Sequence, residues 1–364
     1  MSGKPLRINK APPQTLFQGE CKLPCSMPKS EPYATHPSTT PDWRHAVRKY
    51  QQPSLRKGLW QITNTLGPYA AIWISLHFLL PISWWLTAPL VLLAGGLLVR
   101  VFIIFHDCTH GSFFKSKQAN NIVGYIMGVL VFTPYSFWRK EHALHHSNAA
   151  DLDRRGFGDI PTMTVQEYRS SSTWTRLGYR FVRNPFVLFG IGPILMFLLK
   201  HRLPPTQKAT ASERSSVQWT NLGVIIMAGA MISVFGLLPY LIIQVAILAI
   251  ATSCGTWLFY IQHQFEGVYW ERNDKWNYVE AALKGSSFYK LPRILQWFSG
   301  NIGYHHVHHL SSRIPNYNLE RCHIQVPLLH AVQPITLRES IRALRYRLWD
   351  EASHQLIGFK DLPR

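Results

Sequence analysis

Two long apolar blocks dominate the pattern along the chain. Residues 69–105 are almost unbrokenly hydrophobic, with Arg100 the only charged residue, and residues 222–261 contain no Asp, Glu, Lys or Arg. One membrane-crossing helix needs about 20 apolar residues, so each block is close to two spans long. Pro81-Ile82-Ser83 sits near the middle of the first block and Pro239 near the centre of the second, and a proline can end one helix and open the next. The pattern therefore predicts four spans in two hairpins. Two shorter apolar runs, 122–132 and 186–199, fall below spanning length and fit helices in the membrane interface or against the bundle. The expected fold class is all-α and integral to a membrane, with four transmembrane helices beneath a helical cap.

An even number of spans places both termini and the 106–221 segment on one side. Of 38 Lys and Arg, 10 precede Tyr69, 14 lie in 106–221 and 13 follow Ile261, while neither hairpin turn carries any. The positive-inside bias assigns that side, with the cap and both termini, to the cytoplasm. The net charge of +19 then reads as attraction to anionic headgroups, worth about 1 kcal/mol per basic group. A nucleic-acid protein would set such charge on a soluble fold with base-stacking aromatics. Five cysteines, at 21, 25, 108, 254 and 322, form no CxxC pair, which argues against a zinc ribbon or a disulfide scaffold. The first sixty residues hold no apolar run of the signal-peptide kind. The expected organisation is a basic cytoplasmic tail (1–49), a membrane domain with its cap (50–330) and a cytoplasmic C-terminal tail (331–364).

Histidine patterning adds the chemistry. His106 and His110 stand four residues apart where the second span leaves the membrane, which puts both rings on one helical face. His142, His145 and His146 form an HxxHH run, whose i, i+3 and i+4 positions are expected to converge on one face, and His305, His308 and His309 repeat it. His263 stands where the fourth span ends. All four places fall at the same membrane surface, and eight or nine imidazoles exceed the roughly four ligands of one ion. Two metal ions are implied; imidazole suits Zn, Cu, Fe and Ni alike, so ligand type does not choose among them. Carboxylates behind the ligands would orient the rings and spread the charge. Asp107 and Glu266 are the favoured candidates, with Glu141, Asp151, Asp153 and Asp159 as others, and His306 reads as a supporting or structural residue. His36, His45, His77, His201, His323, His330 and His354 stand outside the clusters and read as ordinary surface or hydrogen-bonded residues.

At these residues the sequence resembles the membrane fatty-acid desaturases, in particular the acyl-lipid delta-12/omega-3 branch. The matching text is His106-Asp107-Cys108-Thr109-His110-Gly111-Ser112-Phe113-Phe114, Phe137-Trp138-Arg139, Tyr260-Ile261-Gln262-His263-Gln264-Phe265-Glu266, Asn301-Ile302-Gly303-Tyr304-His305-His306-Val307-His308-His309-Leu310 and Ile314-Pro315-Asn316-Tyr317. Thr109 departs from the Gly this branch often carries. The resemblance covers about residues 49–317. It implies two non-haem irons, O2 as co-substrate, electrons from ferredoxin or cytochrome b5, and insertion of a cis double bond into a long lipid-linked or thioester-linked acyl chain, of delta-12 (omega-6) type. No HPGG haem motif occurs in either tail, so the electron donor is expected to be a separate protein. Two other readings set the tests. Carotenoid ketolases or hydroxylases and alkane hydroxylases share histidine boxes, and a histidine-rich metal transporter would place its ligands at bilayer depth.

Overall fold

The computed structural model describes residues 42–156, 158–203 and 209–362, so most of the expected N-terminal tail lies outside the described residues. Helix α1 (Trp43–Arg48) leads into α2 (Leu55–Leu79) and α3 (Trp84–His110). Helices α4 (Lys117–Leu130) and α5 (Tyr135–Asn148) follow, bent by 100° at their junction. After α6 (Val165–Ser170), α7 (Thr173–Val182) and α8 (Gly192–Leu198) come α9 (Ala211–Phe235) and α10 (Leu237–His263). The cap is completed by α11 (Tyr278–Lys284), α12 (Arg293–Phe298), α13 (His305–Leu310), α14 (Asn316–Gln325) and α15 (Leu337–Arg342).

Three described helices, α3, α9 and α10, are long and apolar enough to cross a membrane. The α4–α5 pair and the bent 173–202 pair raise the number to five if each is one span. Helix α2 has 25 residues but does not qualify, because its first half carries Gln61, Thr63, Asn64 and Thr65. Gln61 and Thr65 are buried, and Thr65 Oγ1 accepts from Arg100 Nε at 3.1 Å. The first break falls at 80–83, at the expected proline, with Ser83 accepting from the Trp85 amide at 3.2 Å. The second break falls at Gly236 (φ 80°, ψ 159°) rather than at Pro239. That backbone region is open essentially to glycine alone, whereas Pro239 sits in the first turn of α10, where a missing N–H costs nothing.

Helix α3 is the axis of the packing. Leu97, Leu98, Val101, Ile104 and Phe105 are buried in one core with Leu76 from α2 and Ile243 and Ile247 from α10. Gly95 sets the α3–α10 distance, since a Cβ there would lie 2.5 Å from Ile250, as small residues do at close helix contacts.

Mostly helical architecture agrees with expectation, but two small sheets interrupt the cap. Strand β1 (Met163–Thr164) runs parallel to β4 (Leu348–Asp350), which pairs antiparallel with β5 (Gln355–Ile357). Strand β2 (Phe288–Tyr289) runs parallel to β3 (Pro334–Ile335). Three of these strands lie after residue 331, so the supposed C-terminal tail is folded up to 362. Its anchor is apolar: Leu348 and Trp349 are fully buried, and the buried Arg183 donates to the Tyr346 carbonyl at 2.9 Å and to Gln264 Oε1 at 3.0 Å. The N-terminal boundary at 49 also falls inside folded structure. Val47 and Tyr50 are buried, and the Tyr50 hydroxyl donates to Gln325 Oε1 of α14 at 2.8 Å.

Candidate metal centre

Four elements deliver the predicted histidines to one place. Helix α3 carries His106 and His110 in its last turn and stops at Gly111, whose φ of 67° lets its amide cap the Asp107 and Cys108 carbonyls. Helix α10 ends on His263. The bend after α4 turns α5, with His142, His145 and His146, toward the ends of these helices, and the short α13 brings His305, His308 and His309 beneath them.

The nine rings form two groups. His106, His110, His142, His146 and His308 are one, and His145, His263, His305 and His309 are the other; within each, one nitrogen per residue lies within 4.8 Å of all the rest. The HxxHH runs were expected to converge on one face, yet each is split. His142 and His146 join the first group while His145 joins the second; His305 and His309 join the second while His308 joins the first. Helical geometry explains the split, because residues i and i+4 are about 40° apart but neighbours are about 100° apart. Each HxxHH run thereby serves both groups, which brings the groups side by side, with His146 and His309 stacked at 4.2 Å between centroids.

The donor nitrogens fit cations. His142 Nε2 lies 3.1 Å from His146 Nε2, and His146 Nε2 lies 2.9 Å from His308 Nε2. In the other group His263 Nε2 lies 3.2 Å from His145 Nε2 and 3.0 Å from His305 Nε2. Nitrogens bound at about 2.1 Å to a common ion and at right angles are about 3.0 Å apart. Three Nε2 atoms converging on one point cannot all be satisfied by sharing protons, and a central cation satisfies them. His110 Nε2 and His309 Nε2, one from each group, are buried with no hydrogen-bond partner among the described residues. Burial, then neighbouring histidines, pushes the His305, His308 and His309 rings well below the usual imidazole range, so they stay neutral and their lone pairs need no deprotonation.

Behind the donors stand orienting partners. Asp107 Oδ1 lies 3.2 Å from His106 Nδ1, and its Oδ2 accepts from the Asn316 amide at 2.6 Å and side chain at 2.8 Å. His145 Nδ1 lies 2.6 Å from Asp159 Oδ1, and His263 Nδ1 donates to the Gly285 carbonyl at 3.2 Å. Glu266 is exposed and lies beside Tyr346 instead. Among the other acids considered, Asp151 pairs with Arg154, Asp153 with Arg272, and Glu141 is half-buried on α5, its carboxyl raised by burial. His306 turns away from both groups and hydrogen-bonds His323 at 3.0 Å; burial, then His323, lowers its pKa to about 3. His201 is buried and belongs to neither group, and His36 lies outside the described residues. Sequence reasoning missed Asn316, Gly285 and the preference for Asp159 over Glu266; Asn316 was within its reach, standing in the matched Ile314–Tyr317 text.

Aromatic rings wall the centre. Trp138 stacks on His142 at 4.3 Å, and Phe259 lies 5.2 Å from His145 and 5.1 Å from His263 between centroids. A nitrogen-lined double site, largely buried at the ends of long apolar helices, suits redox chemistry on an apolar substrate.

Comparison with known proteins agrees. The family described as fatty acid desaturase matches residues 82–334. A "Fatty acid desaturase" of Bacillus subtilis (strain 168) is 46% identical over 314 residues, covering 86% of this chain and 89% of its own. An "sn-1 acyl-lipid omega-3 desaturase (ferredoxin)" of Synechocystis is 27% identical over 344 residues, covering 91% and 87%. An "sn-1 oleoyl-lipid 12-desaturase" of the same organism is 28% identical over 273 residues, covering 71% and 72%. With 253 consecutive residues matched to one family and a relative this similar along most of both lengths, the chain belongs to the membrane fatty acid desaturases, a family of oxidoreductases.

Proposed function

We propose that this desaturase uses O2 to insert a cis double bond into a long acyl chain esterified to membrane lipid, with two non-haem irons held by His106, His110, His142, His146 and His308 on one side and His145, His263, His305 and His309 on the other. The observation that carries this reading is the pair of adjacent, nitrogen-only groups, one fully and the other partly buried. Iron is taken from the family; the donor set accepts it and the N···N spacings fit an ion of that size.

When bound, the irons supply the oxygen activation needed to take hydrogen from an unactivated methylene, which no side-chain base can do. The chain's own residues then have three tasks. Nine imidazoles hold the charge in place, Asp107 and Asp159 fix the tautomer and direction of His106 and His145, and Trp138 and Phe259 keep the surroundings apolar. In the overall balance two hydrogens leave the acyl chain, two electrons come from the donor with two protons from water, and O2 becomes two waters. The electron donor is a separate ferredoxin- or cytochrome b5-type protein.

The topology proposed is four spans, α2, α3, α9 and α10, with the centre and both termini cytoplasmic. On that topology an acyl chain reaches the centre from the adjacent leaflet without wetting its methylenes, a cost avoided of about 0.8 kcal/mol each. The delta-12 position is supported by the relative named as an oleoyl-lipid 12-desaturase, whereas the name of the Bacillus relative gives no position.

Gas chromatography of lipids from a host that makes oleate, expressing the chain with a compatible donor, should show a dienoic product that His305→Ala eliminates. A new monoene made from a saturated chain would keep the desaturase and move the position. Hydroxylated or ketolated products with no new double bond would replace the reading with the oxygenase one, and histidine-dependent metal uptake with unchanged lipids would replace it with transport.

A further inference from the structure

Arg183 follows the last residue of α7 and is 0% exposed, so its guanidinium lies wholly inside the protein. Its donors go to neutral acceptors on three separate segments. Nη1 donates to the Pro161 carbonyl at 3.1 Å, and Nη2 donates to Gln264 Oε1 at 3.0 Å and to the Tyr346 carbonyl at 2.9 Å. Its Nε is buried with no partner among the described residues. Burying a charge among neutral acceptors is costly, and an apolar side chain of similar volume often serves stability as well or better. What an arginine adds is direction, because its planar fork holds its donors at fixed angles.

Two of the three segments lead to the same metal group. Gln264 is the residue after His263, where the chain leaves α10, and its Nε2 donates to Thr162 Oγ1 at 3.0 Å. Pro161 stands two residues after Asp159, whose Oδ1 lies 2.6 Å from His145 Nδ1. His145 and His263 therefore share one bracing network, and their Nε2 atoms are 3.2 Å apart. The third segment is C-terminal, and it is tied to α10 as well: the Tyr260 hydroxyl donates to the Ala343 carbonyl at 2.8 Å and to the Tyr346 carbonyl at 3.0 Å. The other metal group has a support of its own, since His106 is backed by Asp107, which Asn316 holds.

We infer that Arg183 is a positioning residue for the His145, His263, His305 and His309 group: it locks the 159–162 loop, Gln264 and the C-terminal Tyr346 into one unit that sets the spacing of His145 and His263. The inference rests on the proposed double metal site and deepens it, by naming what braces one half. It also gives the folded C-terminal segment a task, because the Tyr346 carbonyl holds one arm of the fork.

The test reads metal binding rather than turnover. Wild type and variants, reconstituted with iron(II) in lipid nanodiscs, are titrated with a competing chelator, and iron per chain and unfolding temperature are measured on the same samples. Arg183→Met should hold one of its two ions about tenfold more weakly than wild type and the other with unchanged affinity, and Arg183→Lys should recover part of the loss. Combined with Asp159→Asn, Arg183→Met should add little, because both act on one ion; combined with Asp107→Asn it should add in full, because these act on different ions. Thr162→Val removes the hydroxyl that Gln264 reaches; it should weaken the same ion by less, and it carries the test if Arg183→Met does not fold. Unchanged binding of both ions would overturn the inference, as would full additivity with Asp159→Asn. Equal weakening of both ions with a lowered unfolding temperature would make Arg183 a residue of the fold alone, and overturn it too. A wild type that binds one ion would instead overturn the double site, and the brace with it.

Discussion

Asp159 and Asp107 stand in the same relation to their histidines, but their own anchoring differs. Asp107 is 1% exposed and held by two bonds from Asn316, while Asp159 lies on a loop, where its Oδ2 accepts from the Gly156 amide at 3.2 Å. Removing a carboxylate behind a metal-binding imidazole typically weakens the metal about 10–100-fold. Asp159→Asn should do so while leaving the protein folded, measured by competition with a chelator; undiminished iron affinity would reduce Asp159 to a loop anchor. His145→Ala and His308→Ala, one from each group, should each abolish product formation, whereas His201→Ala should not. At this scale the sequence was legible where function imposes a spacing, as in the three histidine runs, and illegible where contact is tertiary. Asp159 is 14 residues from His145, and nothing in the intervening text distinguishes it from Asp151 or Asp153. The division of each HxxHH run between two groups follows from the angle between neighbouring helical residues, which the shared-face argument had passed over.

Elements were legible in proportion to their length. The apolar blocks and the break at Pro81 could be read directly, because 20 apolar residues leave a plain signal. Helix α2 could not be bounded, since its buried Thr65 looks like a surface residue until Arg100 is seen beside it. The strands of two or three residues are too short to show a period of two, so the C-terminal segment read as a tail. Two variants test the revised account. Gly236→Val places a branched residue in a glycine-only backbone region, at a cost of order 1–3 kcal/mol, and should lower the unfolding temperature in detergent while Gly229→Ala, with open space around it, does not. Deleting 344–362 removes β4, β5 and the buried Trp349; a true tail would be dispensable, whereas a folded anchor predicts low yield and lost activity.

For the whole molecule, the orientation proposed rests on the distribution of charge. Every described Lys and Arg except Arg100 lies outside the two apolar blocks, and Arg100 is itself occupied, its Nε on Thr65, its guanidinium over the Trp297 ring at 4.1 Å and on the Trp297 carbonyl. A cysteine introduced at Ser83 should react with an impermeant maleimide added outside sealed cells, and one at Ser171 should not; the reverse pattern would invert the topology. The central claim remains the double metal site, and metal analysis of the active, purified protein tests it most directly. Five and four converging imidazoles predict about two irons per chain, falling in His145→Ala and His308→Ala. One metal ion per chain, or zinc alone in a preparation that still desaturates, would contradict it.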